Sequence, residues 1–177
     1  MFHLETARLV LVATPLPVIE TRLERDTSTL PVEVGPETWD VTFPAEWPGD
    51  ALVIFPMLAE QLRDAPETVP WGGMLIEKAT RTAIGQMGFK SLPDLSGTIE
   101  LGYGVNPSAW GRGFATEAAR ALSAWALARQ GVRRVTAECL NTNVGSVRVL
   151  DKAGFTRTGE RYDEEEGGLL ILWERTR

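Results

Sequence analysis

Two glycines between a strand-like segment and a helix-like segment are the residues best placed to do chemistry. Gly111 and Gly113 follow the β-branched and aromatic run at residues 98–105 and precede the alanine-rich run at residues 117–130. The first N–H groups of a helix have no partner inside it, and the helix dipole adds positive potential at the same end. Backbone that enters a helix through glycines therefore suits a bound anion, and a pyrophosphate is the natural occupant. An ordinary tight turn would also use glycine here.

The spacing around these glycines argues against two kinds of nucleotide loop. Counting the dinucleotide pattern G-x-G-x-x-G from Gly111 places Thr116 at the third glycine, and counting from Gly102 places Pro107 there. A Rossmann site is therefore disfavoured. No Lys-Ser/Thr pair follows the glycines, so a nucleoside triphosphate loop would lack its lysine for the outer phosphates and its hydroxyl for magnesium.

Composition and charge narrow the range of partners. The 177 residues are 44% hydrophobic and 24% charged, which predicts a single domain, residues 1–177, with one sizeable core. A formal net charge of −6 disfavours nucleic acid and an anionic membrane, and it favours a cationic, amine-bearing partner. Because the chain has one cysteine, Cys139, and one histidine, His3, we expect no disulfide, no zinc cluster, no histidine triad and no metal. The sequence shows no basic leader and no apolar run of membrane length, so we expect a cytoplasmic protein that is a monomer or a homodimer.

Periodicity and turn residues predict the elements that would position the loop. The predicted strands are residues 5–13, 71–78, 83–90, 98–105, 134–140, 155–162 and 169–174. The predicted helices are residues 16–24, 50–63, 117–130 and 143–153. Pro56 should kink or shorten the second helix, and Asn143 should cap the fourth.

Three further segments are predicted from their turn residues and charge. Residues 30–48 hold several prolines and are expected to form a loop or lid packed by its aromatic side chains. Gly85 and Gly88 are expected to mark bulges in their strand. The acidic run at residues 163–168 is expected to be a solvated turn.

Three sequence motifs resemble those of the GNAT superfamily of acyl-CoA N-acyltransferases. Residues 110–118 read W-G-R-G-F-A-T-E-A, which resembles the family's coenzyme A pyrophosphate loop. Residues 143–146 read N-V-G-S and residues 150–155 read L-D-K-A-G-F, which together resemble the family's second signature. Residues 6–11 read T-A-R-L-V-L, which is similar to the opening of the branch that contains ribosomal-protein N-terminal-amine acetyltransferases. The likeness is thin at residues 27–69, the segment that shapes the acceptor site in this superfamily.

The resemblance implies both a fold and a ligand. The implied fold is α/β (α+β), with a central mixed, largely antiparallel twisted sheet of about seven strands, helices on both faces, and a splay between the fourth and fifth strands. The implied ligand is acetyl-CoA, which serves as acyl donor, with no metal. The residues implied in coenzyme binding are Gly111, Arg112, Gly113, Phe114, Ala115 and Thr116 at the pyrophosphate, Tyr103 and Val105 through their backbone at the pantetheine arm, and Asn143 and Ser146 beside that arm. Trp110 departs from the family pattern, because many members carry glutamine or arginine there.

The implied reaction is direct attack of a primary amine on the acetyl thioester in a ternary complex. Such a transfer needs a group to take the amine proton, a donor to the carbonyl oxygen and a group to stabilise the leaving thiolate. Glu100 resembles the family's proposed general base, although it could instead fix the strand edge or the acceptor. Ser146 matches a serine proposed as acid in the ribosomal branch, or it is an ordinary hydroxyl at a helix start. A backbone N–H near Val105 would polarise the carbonyl, and Tyr103 and Tyr162 are reserve acids.

Three functions stay open from the sequence. The first is an acetyl-CoA-dependent N-acetyltransferase that acts on a small amine or a protein N-terminus. The second is a coenzyme-A-binding sensor or interaction module that has lost transfer. The third is an acetyltransferase for an antibiotic amine, since an acidic protein suits a polycationic drug as well as a peptide amine.

Overall fold

The computed structural model describes residues 2–65 and 71–177, which form a mixed α/β fold with a twisted open sheet and four α-helices. The strands are β1 (His3–Glu5), β2 (Leu9–Val12), β3 (Ser28–Val34), β4 (Glu37–Phe43), β5 (Gly72–Glu77), β6 (Thr82–Phe89), β7 (Thr98–Val105), β8 (Arg134–Leu140), β9 (Thr156–Asp163) and β10 (Gly168–Thr176). The helices are α1 (Leu16–Glu24), α2 (Phe55–Asp64), α3 (Phe114–Leu127) and α4 (Val144–Ala153). The predicted fold class is therefore confirmed.

The chain divides into two compact units, so the single domain expected at residues 1–177 stays a prediction. The first unit comprises the described residues up to Gly88 together with Tyr103–Phe114. Its strands are hydrogen-bonded in the order β1-β2-β5-β6-β7, and β4 of the β3–β4 hairpin pairs with β6 in parallel at Thr42 and Thr82. The core of this unit contains three buried aromatic side chains, with Trp47 in contact with both Phe43 and Phe55.

The second unit comprises Phe89–Gly102 together with Ala115–Arg177. Its strands are hydrogen-bonded in the order β7-β8-β10-β9. The parallel ladder between β7 and β8 covers the first three residues of each strand, whereas β8 stays paired with β10 as far as Leu140. This short ladder fits the expected splay.

Residues 5–13 were expected to form one strand, and the structure corrects this to two. β1 and β2 pair with each other, with His3 opposite Val12. The reversal is local, because the hydroxyl of Thr6 accepts a hydrogen bond from the N–H of Leu9 at 3.0 Å. A side chain that bonds to backbone three residues away closes a tight turn, which an alternation of apolar residues does not reveal.

The prediction of a loop or lid at residues 30–48 is also wrong, because most of this segment forms the β3–β4 hairpin. Its inward residues alternate as a strand requires, with Val32, Val34, Val41 and Phe43 all buried. Pro31 is tolerated since the described pairing of β3 is with β4 alone, and an edge strand can spare one N–H group. With β1 and this hairpin added, the described residues hold ten strands rather than about seven.

The helix that follows the glycine loop starts earlier than expected. α3 begins at Phe114, three residues before the predicted start, and ends at Leu127. α2 begins at Phe55 after a 3₁₀ turn at Gly49–Ile54, with Pro56 in its first turn, so the shortening expected from that proline is confirmed. No helix within residues 2–65 or 71–177 is long and apolar enough to cross a membrane.

One of the two predicted bulges is found. The pairing of β5 with β6 shifts register next to Gly85, as expected, but it is regular at Gly88. Gly88 instead lies against Gly72, and an added Cβ on Gly88 would come 3.2 Å from the Gly72 Cα. The absence of a side chain at Gly88 is therefore explained by close backbone contact rather than by a bulge.

Candidate functional site

The loop that joins β7 to α3 is fixed where it leaves the strand. The backbone N–H of Asn106 donates to the carbonyl of Ile84 at 2.8 Å, and its buried side-chain amide donates to the carbonyl of Ala83 at 3.1 Å. The indole N–H of Trp110 donates to the carbonyl of Val105 at 2.6 Å. The loop is therefore built on an anchored turn rather than on flexible chain.

The two glycines of the loop adopt backbone conformations that other residues avoid. Gly111 has φ +72° and Gly113 has φ +81°, and an added Cβ on Gly111 would meet nothing within 4 Å. Because α3 begins at the next residue, the N–H groups of its first turn, including those of Ala115 and Thr116, have no acceptor inside the helix. The space beside Gly111 and these N–H groups suit an anion.

The side chain of Arg112 is directed to an acidic residue of the same unit. Its guanidinium forms an ion pair with Glu77, which is 6% exposed, and Nη1 lies 3.4 Å from Oε2 of that carboxylate. It also lies over the ring of Phe114, 4.5 Å from the ring centre. Arg112 was predicted to bind coenzyme, and the position of its side chain leaves its backbone as the part available for that role.

A second arginine reaches the same loop from the start of the chain. Nη1 of Arg8 donates to the carbonyl of Arg112 at 2.9 Å, and its guanidinium lies 4.6 Å from the centre of the Phe114 ring. Sequence reasoning noted Arg8 only as part of the opening motif and missed Glu77 altogether. The opening motif was a usable signal for Arg8, whereas no local pattern points to Glu77.

Glu100 lies on β7 in a cluster of charged side chains within the second unit. Its carboxylate Oε1 contacts the ammonium of Lys90, and the side chain is 32% exposed. The same ammonium is 3.9 Å from Glu138 on β8, and Glu138 accepts from Arg161 at 3.0 Å and 3.1 Å. Glu138 was missed from the sequence, although it lies two residues beyond Thr136, the partner of Glu100 in the β7–β8 ladder.

Arg161, at the outer end of this cluster, is also bonded to Asp163 at the start of the turn between β9 and β10. Arg161 donates to Asp163, and the carboxylates of Asp163 and Glu138 raise the pKa of the Arg161 guanidinium. The backbone N–H of Glu166 and the guanidinium of Arg161 lower the pKa of Asp163. The acidic run therefore forms the turn between β9 and β10, with Glu164, Glu165 and Glu166 exposed, as predicted.

The second signature forms a capped helix. Oδ1 of Asn143 accepts from the backbone N–H of Ser146 at 3.0 Å, and α4 ends at Gly154 with φ +89°. The structure thus brings Asn143 and Ser146 together and confirms the predicted cap. Tyr103 lies three residues beyond Glu100 on β7, and Tyr162 is exposed on β9.

An open mixed sheet in which a glycine turn leads into a helix suits a protein that holds a phosphorylated ligand, and comparison with known proteins identifies the family. Residues 33–156 match the model of the acetyltransferase (GNAT) domain. The N-acetyltransferase YjdG of Bacillus subtilis (strain 168), itself uncharacterized, is 34% identical over 157 residues, which cover 88% of this chain and 90% of that protein. The chain therefore belongs to the GNAT acetyltransferase family, as its motifs predicted, and is an acetyl-CoA-dependent acyltransferase by class.

Solved structures share the fold. The ribosomal-protein acetyltransferase RimL in complex with coenzyme A has a TM-score of 0.67 and 14% identity, covering 99% of this chain and 98% of that one. The aminoglycoside acetyltransferase AAC(6')-Ib in complex with coenzyme A and kanamycin has a TM-score of 0.51 and 20% identity, covering 59% of this chain and 64% of that one.

Proposed function

We propose that this protein binds acetyl-CoA with the pyrophosphate at residues 111–116 and transfers the acetyl group to a primary amine. The observation that carries the proposal is the start of α3 at Phe114, directly after two glycines with positive φ. A helix start entered through such a loop offers several N–H donors to one anion. The relatives with the same fold that were solved with coenzyme A support the same ligand.

The residues present fit this ligand. The loop supplies backbone donors and space, and the guanidinium of Arg8 lies beside it, whereas that of Arg112 is paired with Glu77. Acetyl-CoA supplies the acetyl thioester, and the protein has to hold the donor, place the amine and move one proton. As the amine attacks, a C–N bond forms, the C–S bond breaks, the amine loses a proton and the coenzyme leaves as a thiolate that takes one up.

Glu100 is the proposed acceptor of the amine proton. Its carboxylate is held next to an ammonium group, that of Lys90, and a protonated amine substrate carries the same group. A base must lie within hydrogen-bond reach of the proton that it removes, so Lys90 has to leave Oε1 when the acceptor binds. Ser146 is the proposed donor to the thiolate, and the backbone near Val105 the proposed donor to the carbonyl oxygen.

The proposed acceptor is a cationic amine, either a small molecule or a protein N-terminus. Two carboxylates, Glu100 and Glu138, lie near the one ammonium of Lys90, and the net charge of −6 acts in the same direction. The structural likeness to AAC(6')-Ib favours an aminoglycoside amine as the second candidate. The segment thought to shape the acceptor site, residues 27–69, includes residues 66–69, which lie outside the described residues.

Substitution of Gly113 by valine tests the coenzyme site. Coenzyme A at about a hundred times its dissociation constant should stabilise the wild-type fold by roughly 2.7 kcal/mol, and Gly113→Val should abolish that gain. Valine at φ +81° is strained, at about 1–2 kcal/mol, and its Cβ would lie 3.5 Å from Nη2 of Arg8 at the loop. Thermal unfolding with and without coenzyme A measures the effect.

Gly131→Val is the matched control for backbone strain. Gly131 follows α3 with φ +87°, and an added Cβ there meets nothing within 4 Å. This variant should lose a similar amount of stability but keep the full response to coenzyme A. A full response in Gly113→Val would place the pyrophosphate elsewhere and contradict the proposal.

A further inference from the structure

We propose that Arg8 and Glu77 are positioning residues that hold the coenzyme loop in the shape that binds pyrophosphate. The inference rests on the proposed function, since it assumes that the loop is the pyrophosphate site. Neither residue lies in the loop: Arg8 immediately precedes β2, and Glu77 is the last residue of β5. Both act on Arg112, the residue between the two glycines.

Arg8 is itself held firmly by the sheet. Its carbonyl accepts from the N–H of Lys78 at 2.9 Å, and the next residue, Leu9, lies opposite Glu77 in the pairing of β2 with β5. From this base its guanidinium donates to the carbonyl of Arg112. A bond to the loop's own backbone restricts the peptide between two glycines that would otherwise have wide conformational freedom.

Glu77 fixes the side chain of the same loop residue. Its carboxylate accepts from the hydroxyl of Thr80 at 3.0 Å and takes both terminal nitrogens of the Arg112 guanidinium. A carboxylate buried to this degree is costly without a cation, so the pair with Arg112 is strongly favoured once Glu77 is in place. The paired nitrogens also set the orientation of the guanidinium, because the fork geometry is rigid.

Phe114 connects the two contacts to the start of the helix. Its ring is buried, and both guanidinium groups lie over it within 4.6 Å of its centre. Cation–π contacts of this kind add to the ion pair and the hydrogen bond. Arg8 thus contacts both the residue between the glycines and the first residue of α3, and Arg112 contacts the latter, which restricts the backbone at Gly113 between them.

Two ligands that differ in the pyrophosphate distinguish positioning from general stability. Coenzyme A carries the pyrophosphate, whereas pantetheine has the same thiol arm and lacks both the pyrophosphate and the nucleotide. Calorimetric titration of the full chain should show that Arg8→Ala and Glu77→Gln each weaken coenzyme A binding by about tenfold, the usual effect of losing one well-placed hydrogen bond. The dissociation constant of pantetheine should stay within about twofold in both variants.

Two further variants serve as controls. Arg8→Lys keeps the charge but loses the planar fork, so it should also weaken coenzyme A binding and can replace Arg8→Ala if the alanine variant does not fold. Glu5→Gln removes the 2.8 Å ion pair between Glu5 and Lys78 in the same unit, and it should change neither dissociation constant.

The outcomes separate this inference from the proposed function. If the wild-type protein binds coenzyme A no more tightly than pantetheine, the proposed pyrophosphate site at residues 111–116 is refuted. If wild type prefers coenzyme A but the variants weaken both ligands equally, or weaken neither, the site stands and the positioning role of Arg8 and Glu77 is refuted.

Discussion

The carboxylate of Glu100 is in contact with the ammonium group of Lys90, and this contact limits the role that Glu100 can have during acetyl transfer. A general base has to give up that contact before it can take a proton from the acceptor. A residue that only binds the acceptor would exchange one ammonium group, that of Lys90, for another. The two roles differ in which kinetic constant they control, because proton removal occurs in the transition state and ammonium binding in the ground state.

Glu100→Gln should lower kcat by about two to four orders of magnitude, since the amide keeps the shape but takes no proton. Coenzyme A binding should persist, and activity should return as pH rises because the free amine fraction increases. Steady-state kinetics over a pH series measure both effects. Glu138→Gln is the matched control on the neighbouring strand and should leave kcat within about tenfold. A variant of Glu100 with raised acceptor KM and wild-type kcat would show that the residue binds the amine instead.

At the same scale, residues with local roles could be predicted and residues with distant partners could not. The roles of Gly113 and Asn143 were predictable, because a helix start and a helix cap are determined by residues that are neighbours in the chain. The contact between Arg8 and the carbonyl of Arg112 joins residues 104 positions apart, and no periodicity connects them. Glu77 resembles any acidic residue at the end of a strand until the burial of its carboxylate is known.

At the scale of helices and strands, the accuracy of the sequence prediction differs from one element to another. The bounds of α1, β7 and β8 match their predictions, because their apolar spacing and the residues that end them agree. The β3–β4 hairpin was predicted as a loop because its prolines disfavour a strand, although the apolar residues Val32 and Val34 alternate with polar ones as in a strand. Proline disfavours a central strand, but it says little against an edge strand, and edge position is a property of the sheet rather than of the segment.

The turn that leads into β7 makes stability depend on pH. Asp94 accepts hydrogen bonds from the hydroxyl and N–H of Ser96 and from the N–H of Thr98, all between 2.7 and 2.9 Å. The bond from the Ser96 hydroxyl is the main cause that lowers the pKa of Asp94 below its ordinary value of 3.8. A lowered pKa means that the ionised form stabilises the fold above pH 3.8, and that this contribution is lost as pH falls through the folded value.

Asp94→Asn should therefore destabilise the protein at pH 7 and have a progressively smaller effect below pH 3.8. The amide keeps an acceptor oxygen, so the variant removes mainly the charge. Urea unfolding of both proteins across this pH range measures the difference in the free energy of unfolding. A difference that stays constant across the range would show that the charge of Asp94 does not stabilise the turn.

At the scale of the whole molecule, the family establishes the reaction class but does not identify the amine acceptor. The match at residues 33–156 and the relative at 34% identity make this a GNAT acetyltransferase. The sequence predicted that class because its motifs are local and fall in the family's order. It could not predict the acceptor, because the motifs that carry the resemblance all lie outside residues 27–69 and two of the charges near Glu100 come from separate strands.

Product analysis with acetyl-CoA and a panel of primary amines tests the central claim most directly. The panel should include peptides with free N-termini, small diamines and an aminoglycoside, with the products identified by mass spectrometry and free coenzyme A measured in parallel. We predict that at least one cationic amine gains one acetyl group for each coenzyme A released, and that Glu100→Gln suppresses this yield. Acetyl-CoA that binds at the loop but acetylates none of these amines would contradict the account and leave a coenzyme-binding module in its place.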